Sequence, residues 1–169
     1  MTVSTLPRIL AMLALSTLAL TGCSTPASDA PVADSSACDG VSVVVNFGLL
    51  GADSADTCVP IEGESAAASD VVAQAGLEVE GTATYGDQIV CRVNGLPSAD
   101  EPFTVEGQDP FTETCADMPP MFAYWALWVK ADSGAAWEYA TEGLGTLTVK
   151  KGESLGLIFT TGDETPTPN

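Results

Sequence analysis

The side chain with the clearest chemical assignment is the thiol of Cys23, which ends the run LTGC at positions 20–23. Arg8 precedes an apolar stretch at 9–20, and this order is typical of a secretory signal segment. The stretch is shorter than the roughly 20 apolar residues that a membrane span needs. We therefore expect residues 1–22 to be a lipoprotein signal peptide that is removed, and Cys23 to be the lipid attachment site.

The expected partner of Cys23 is membrane lipid, through a diacylglycerol with palmitate-type chains. At about 0.8 kcal/mol per buried methylene, an anchor of about two or three acyl chains holds a protein stably. This places the protein on the extracytoplasmic face of a bacterial cell membrane. The alternative is an ordinary secretory signal beside an unmodified cysteine. Residues 23–39 are rich in Ser, Thr, Pro, Ala and Asp without periodicity, which predicts a flexible tether, and residues 162–169 predict a disordered tail.

The charge of the remaining chain excludes several partners. Only Arg92, Lys130, Lys150 and Lys151 stand against 23 acidic side chains. Binding to nucleic acid or to anionic lipid through a basic patch requires clustered Lys and Arg, so we expect neither. The acidic residues do not form the DxDxDG spacing of a calcium loop. The acid excess predicts a solvated, mutually repulsive surface, and the alternative is a specific cation-binding role. Because the calcium-loop spacing is missing, we expect no metal. We also expect no cofactor and a monomeric protein.

Four further cysteines predict disulfide bonds, because an even number in an exported protein usually forms pairs. They are Cys38, Cys58, Cys91 and Cys115. Of the three possible pairings we favour Cys38 with Cys58 and Cys91 with Cys115. Each closes a loop of about 20 to 25 residues and stabilises by roughly 3 kcal/mol on the chain-entropy model. A zinc site is the alternative, and it is weakened because the chain has no histidine and no CxxC spacing.

Residues that could perform catalysis are few. The chain has no histidine, no GxSxG nucleophile motif and no phosphate-binding Walker loop. Glu138, between Trp137 and Tyr139, is the carboxylate that could serve in acid–base cleavage of a glycoside. On a strand, however, its side chain points away from both aromatic neighbours, which favours a solvated role. We therefore expect no enzymatic activity and no catalytic residue.

The hydrophobic pattern predicts an α+β fold. Alternation over 41–47, with both faces partly apolar, predicts an interior strand. A loop containing Cys58 and Pro60 follows, then helical spacing over 64–75 with Gly76 as the stop signal. Later strands are predicted at 77–80, 88–93, 122–130, 136–140, 146–149 and 154–160. Residues 40–161 are therefore expected to form one domain, a mixed sheet with one short helix packed on it and disulfides as reinforcement.

Five segments in order resemble the C-terminal β-domain of transcobalamin and its bacterial surface relatives. The segments read VSVVVNFG, SAAASDVVAQAG, IVCRVNGLP, YWALWVKADSGAAWEYATEG and VKKGESLGLIF. Within them Asn94 and Gly95 match a turn of that family, Trp125, Trp128, Trp137 and Tyr139 match its aromatic strands, and Lys151, Gly152 and Glu153 match its last turn. The resemblance implies a β-grasp-like fold. In that family a helical barrel completes the corrin site, and no barrel fits in this chain, so a cobamide is one candidate ligand rather than an implied one.

The aromatic strands also suggest a binding surface on their own chemistry. Alternation places Tyr124 and Trp128 on one face and Trp125 on the other, while Trp137 and Tyr139 share a face of the next strand. A turn at 132–134 makes the two strands neighbours, so Trp128 and Trp137 are expected within cross-strand reach. These five aromatic residues form either part of the core or an exposed platform for a planar ligand, a sugar ring or a partner's side chain.

Two polar residues complete the candidate ligand-binding set. Arg92 could clamp a carboxylate or phosphate, or it could form an ordinary surface ion pair. Asn94 lies in the adjacent turn. Together these features predict a non-catalytic lipoprotein that captures a small ligand as an accessory to nutrient uptake. The alternative is a structural or adhesive module that contacts envelope proteins or glycans. A cavity beside Trp128 and Trp137 favours the first, and a flat face with buried tryptophans favours the second.

Overall fold

Alternating valines in the first strand establish the side of the sheet on which the core forms. Val41, Val43 and Val45 are buried, and they belong to the main hydrophobic cluster. The computed structural model describes residues 38–162, so Cys23, most of the tether and nearly all of the tail lie outside the described residues. The nine strands of the described part are β1 (Gly40–Asn46), β2 (Ala55–Pro60), β3 (Ser65–Ala67), β4 (Val79–Thr82), β5 (Gly86–Val93), β6 (Tyr124–Lys130), β7 (Glu138–Tyr139), β8 (Thr148–Lys150) and β9 (Ser154–Thr160).

The principal sheet has five strands in the order β2-β1-β9-β6-β7. β1 and β9 run parallel, whereas the β1–β2, β6–β9 and β6–β7 pairs are antiparallel. The sheet is therefore mixed, and β1 has a strand on each side, which confirms its predicted interior position. Two antiparallel ribbons, β3–β8 and β4–β5, complete the strand pairing.

One short helix, α1 (Ala68–Gln74), packs on the core side of the sheet. Its Ala68, Val71 and Val72 are buried in the same cluster as the β1 valines. The helix ends where the sequence predicted, because Gly76 takes a positive φ of 80° that permits a Schellman closure. Leu77 donates its N–H to the carbonyl of Val72 at 3.2 Å to complete that closure. A mixed sheet with one short helix packed on it is thus confirmed. Within residues 38–162, no helix has the length and apolar character that would let it traverse a bilayer.

Two parts of the sequence prediction are wrong, both in the first half of the domain. The predicted loop around Cys58 contains a strand, β2, which lacks an alternating pattern because it is an edge strand exposed along most of its length. The predicted helix over 64–75 begins only at Ala68. Its first part is strand β3, in which Ala66 pairs with Val149 of β8. Tertiary pairing overrides the high helix propensity of alanine there.

The remaining strands agree with prediction to within about two residues at most ends. β9 matches the predicted bounds, and β6 begins two residues later than predicted. β7 is shorter than the predicted strand at 136–140, because only Glu138 and Tyr139 pair with β6. This shortening matters for the functional site, since it leaves part of β6 without a neighbouring strand.

Both predicted disulfides are confirmed. Cys38 pairs with Cys58 and fastens the start of the domain to β2, across a sequence separation of 20 residues. Cys91 pairs with Cys115 and ties β5 to the segment that leads into β6, across 24 residues. Loops of this length correspond to roughly 3 kcal/mol of stabilisation each on the chain-entropy model. The second bond holds two walls of the cavity described below.

Two tryptophans on opposite faces of β6 anchor it differently, as alternation predicted. Trp125 enters the main core, where its ring meets the edges of Phe47 and Phe159 at centroid distances of 5.2 and 5.5 Å. Its indole N–H donates to the carbonyl of Leu96 at 3.0 Å. Trp128 lies in a smaller cluster on the other face, and its Nε1 is the one fully buried side-chain nitrogen or oxygen in residues 38–162 that lacks a hydrogen-bond partner.

Trp125→Phe is therefore expected to destabilise the protein by about 1 kcal/mol more than Trp128→Phe. Both changes remove the same volume and keep an aromatic ring, but only the first removes a hydrogen bond. Urea unfolding followed by circular dichroism measures both free energies of unfolding. Equal losses, or a larger loss for Trp128→Phe, would contradict the assignment of the bond.

Candidate functional site

The candidate site begins at a gap beside β6. β7 pairs only with Trp128 and Val129, and beyond them Ala140 donates its N–H to the carbonyl of Leu127 at 2.9 Å. Towards the start of β6, no strand in the described part of the chain pairs with this edge. The edge of β6 over residues 124–126 is therefore open, while its opposite edge is fully paired with β9.

A cavity of about 610 Å³ lies at this open edge. Its size is within the range of about 300 to 1,000 Å³ that is usual for ligand sites. Its walls come from β5, the turn before β6, the start of β6, the end of β7 with the loop after it, and Gly162 beyond β9. The lining residues are Gln88, Ile89, Val90, Met118, Pro119, Met121, Tyr124, Trp125, Ala126, Leu127, Tyr139, Ala140, Thr141, Glu142, Gly143, Leu144 and Gly162.

The loop after β7 is held against β5 by a close backbone approach. A Cβ atom at Gly143 would lie 2.2 Å from the carbonyl oxygen of Gln88, so only glycine fits there. Two residues later Gly145 donates its N–H to the carbonyl of Asp87 at 3.0 Å. These contacts fix the loop as a wall, so the cavity is preformed.

A pair of tyrosines supplies aromatic surface and hydroxyl groups to the cavity. The ring of Tyr139 stacks on Trp128 with a centroid distance of 3.9 Å and an interplanar angle of 27°, as expected for directly opposed residues on β6 and β7. Tyr139 remains 47% exposed. Burial of part of its side chain, and then its hydrogen bond with Tyr124, raise the pKa of Tyr139 from 10.0 to about 12. The phenol is therefore neutral, and available as a hydrogen-bonding group, throughout the physiological range.

The walls are otherwise mostly apolar, with Gln88, Thr141 and Glu142 as polar members, and they carry no positive charge. Glu142 is the one ionisable carboxylate among the lining residues, and none of them is Lys or Arg. With a net charge of −18 over the whole chain, the surroundings repel anions. The site therefore suits a neutral or cationic ligand with an apolar part.

Of the five aromatic residues predicted to bind a ligand, three line this cavity and two do not. Tyr124, Trp125 and Tyr139 are brought together at its wall. Trp128 is only 2% exposed and lies behind Tyr139, which it supports. Trp137 does not line this cavity, but it is partly buried and packs against the small cluster that contains Trp128. Tyr139 lies directly opposite Trp128, and Trp137 belongs to the same small cluster, in agreement with the expected cross-strand reach of the two tryptophans. Lys130 lies 5.8 Å from the centroid of the Trp137 ring.

A second, smaller cavity of about 380 Å³ contains Trp137. Lys130 contributes to its lining, together with Asp56 and the hydroxyl residues Ser42 and Ser154. Ser42 donates a hydrogen bond to Asp56 at 2.9 Å. Its walls are more polar in composition than those of the larger cavity, and they combine one aromatic ring with several hydrogen-bonding groups.

Arg92 and Asn94 have structural roles. Arg92 is buried rather than at the surface, and its guanidinium donates to the carbonyls of Pro97 and Glu113 and forms an ion pair with Glu80 at 2.8 Å. Asn94 occupies the predicted turn with a φ of 51°, and its side-chain oxygen accepts the N–H of Glu78 at 2.8 Å. Neither residue lines the large cavity.

Other residues that could take part in catalysis or metal binding lie outside the two cavities. Glu138 is exposed on β7, as the alternation predicted. Glu113 has a carboxylate oxygen close to both sulfurs of the Cys91–Cys115 bond, within 4.8 Å. Because both sulfurs are joined in the disulfide, this group offers no thiolate to a metal.

No family model, curated protein or solved structure matches this chain. The resemblance to the transcobalamin β-domain therefore stays a prediction, and the function has to be argued from the site itself.

The most exposed part of the cavity was missed by the sequence analysis. Met121 is 90% exposed and Met118 is 58% exposed, and both lie at the cavity beside Pro119. The available signal was the segment MPPM at 118–121, because two prolines exclude a paired interior strand and so leave both methionines at the surface. Glu142 and Gln88 carried no signal, since they reach the cavity only through tertiary packing.

The raised pKa of Tyr139 predicts a specific alkaline response. A group whose pKa is higher in the folded state stabilises the fold fully below its ordinary pKa, and this contribution is lost as the pH rises from 10 to about 12. Titration of the tyrosinate absorbance should show one tyrosine ionising near pH 12. Tyr124→Phe should lower that pKa towards 10 without reaching it, since burial is the larger cause. Tyr85→Phe is the control, and an equal shift in that variant would contradict the proposed pairing.

Proposed function

We propose that this protein is a lipid-anchored, extracytoplasmic binding protein that captures a small ligand in the cavity at the open edge of β6, as an accessory to nutrient uptake. The observation that carries the proposal is the preformed cavity of about 610 Å³ with two tyrosines and two exposed methionines at its walls. Apolar cavities with a few convergent polar groups are the usual form of small-molecule sites.

The composition of the walls narrows the ligand. A stacking surface is available from Tyr139, hydroxyls from both tyrosines and one negative charge from Glu142. These groups favour a flat or elongated ligand that is neutral or cationic. A cobamide remains one candidate, through the resemblance to the transcobalamin β-domain. The same resemblance makes a β-grasp-like arrangement our finer interpretation of the mixed sheet and its helix.

Binding without catalysis is supported by the side chains present. The chain has no histidine, and its four described cysteines are joined in disulfides. Proton transfer at a substrate usually requires a positioned base and acid with complementary ionisation. The lining of the large cavity offers Glu142 as its one carboxylate and two tyrosine hydroxyls, which are groups suited to recognising a ligand.

The proposed anchor is tested at Cys23. We expect cells fed an alkyne-bearing palmitate to label the wild-type protein, and Cys23→Ser to abolish both the label and retention in the membrane fraction. Cys38→Ser with Cys58→Ser, a pair joined in a disulfide, should keep the label. Equal labelling of the Cys23→Ser protein would refute lipid attachment at this residue.

The proposed binding is tested by calorimetry on the untruncated protein, purified from cells and kept in a non-ionic detergent. Cobalamin, cobinamide, haem and a panel of neutral and cationic aromatic compounds are titrated in turn. Met121→Ser should weaken binding of any hit about tenfold, because roughly 1.4 kcal/mol of apolar contact corresponds to that factor. Since Met121 is 90% exposed, this variant should fold normally.

Two tyrosines of equal exposure provide a matched comparison for the same titration. Tyr139 is 47% exposed and lines the cavity, whereas Tyr85 is 46% exposed and does not. Tyr139→Ala should abolish binding and Tyr85→Ala should leave it unchanged, with circular dichroism confirming that both variants fold. Equal effects of the two variants on a ligand that binds would place the site elsewhere.

The second cavity favours a different candidate function, a module that contacts glycans. Trp137 offers a ring for a sugar, and Ser42, Asp56 and Ser154 offer hydrogen bonds. Binding of neutral glycans that is lost in Trp137→Ala and kept in Met121→Ser would favour this function over capture at β6.

A further inference from the structure

We propose that the ligand of the β6 cavity is an extended peptide segment, neutral or basic, that adds to the open edge of β6 as a further strand. This inference rests on the proposed function, because it names the class of ligand for the same cavity. It is carried by the placement of unpaired main-chain groups in a preformed cavity.

The register of the sheet shows which main-chain groups face the cavity. In an antiparallel strand, the N–H and C=O of one residue point to the same side, and successive residues alternate between the two sides. Leu127 accepts the N–H of Ala140, so its polar groups point away from β9. Two residues earlier, Trp125 must point its N–H and C=O to the same side. Neither group of Trp125 has a backbone partner there in the described part of the chain.

This edge also lacks the usual protection against strand addition. Edge strands are normally blocked by charges, proline or bulges. The other edge of the sheet, β2, has Asp56 and Pro60 and is fastened by a disulfide at Cys58. The open part of β6 reads YWA, with no charge and no proline. An unprotected edge pairs with other chains unless it is recessed or already has a partner. Here it is recessed in a cavity.

The cavity has the dimensions of a short extended segment. From the rise per residue and the spacings between strands and between sheets, one extended residue occupies roughly 160 Å³. A cavity of about 610 Å³ therefore holds roughly four residues. The open edge of β6, at 124–126, is of similar length.

The side chains at the cavity explain how such a segment would be selected. Met118 and Met121 are unbranched and flexible, so they adapt to differing side chains of a peptide. Glu142, and the absence of Lys and Arg from the lining, disfavour acidic segments. The cavity is therefore suited to bind the main chain of a peptide by strand addition, with a preference for apolar and basic side chains.

The test uses a hexapeptide of alternating valine and lysine with an acetylated N-terminus and an amidated C-terminus. It is added to the untruncated protein purified from cells. Binding should protect the amide of Trp125 from hydrogen exchange by at least tenfold. Two control peptides have the same side chains but carry N-methyl groups on one or the other set of alternate residues. One of them should bind at least tenfold more weakly and the other should match the parent peptide, because only one set of N–H groups faces β6. A peptide with glutamate in place of lysine should also bind at least tenfold more weakly.

Several results would overturn the proposal in distinguishable ways. If both N-methylated peptides bind as well as the parent peptide, the protein does not bind the peptide through main-chain hydrogen bonds. If small aromatic compounds bind in a manner that depends on Met121 but the peptide does not, the proposed function stands and the peptide inference fails. If neither binds, both fail. Protection of Trp125 that rises with protein concentration, without peptide, would assign the edge to a second copy of the chain.

Discussion

The pairing of β9 with β1 on one side and β6 on the other is the constraint on which the rest of the structure depends. β9 is the last strand of the sheet, yet it lies at its centre, and its residues from Leu155 to Thr160 are all buried. Its contacts join the two ends of the domain, since Val43 of β1 lies opposite Leu155. The sheet therefore forms only when the chain between them has been arranged, which is a long-range and cooperative closure.

That arrangement gives β6 three roles at once. Its paired edge completes the sheet with β9, and one face contributes Trp125 to the core. The other face carries Trp128, on which Tyr139 stacks. What remains is the edge over 124–126, which faces the cavity because β7 is too short to cover it. The site is thus a consequence of where the hairpin stops pairing, and the rigidity of the core on one side holds the site in place.

The walls of the cavity depend on packing that is local to other segments. The Cys91–Cys115 bond ties β5 to the segment before β6, and the close approach at Gly143 sets the loop after β7 against β5. Because these are covalent and steric constraints, the cavity does not require a ligand to form. A preformed site loses less conformational entropy on binding, and its affinity benefits accordingly.

The sequence predicted those parts of the fold that depend on local patterns of residues. Alternation of apolar residues predicted β1 and β9, and Gly76 predicted the end of the helix. Loop length predicted both disulfides. β2 escaped prediction because an exposed edge strand has no apolar alternation. β3 escaped because its alanines favour a helix until β8 pairs with them. For the site, alternation found Tyr124, Trp125 and Tyr139, but the register that opposes Tyr139 to Trp128, and the approach of Glu142, arise from tertiary contacts that no local pattern encodes.

The most direct test of binding at the β6 edge is the methyl resonance of the methionines, with carbon-13 at the ε position of the chain as the cell produces it. The full sequence has four methionines, of which Met1 and Met12 lie in the predicted signal peptide, so the mature protein should show two resonances, from Met118 and Met121. Both should shift, to saturation, when the valine–lysine peptide or a compound that binds by calorimetry is added. If such a ligand binds while both resonances stay in place, or if no compound moves them, the cavity at β6 is not the binding site.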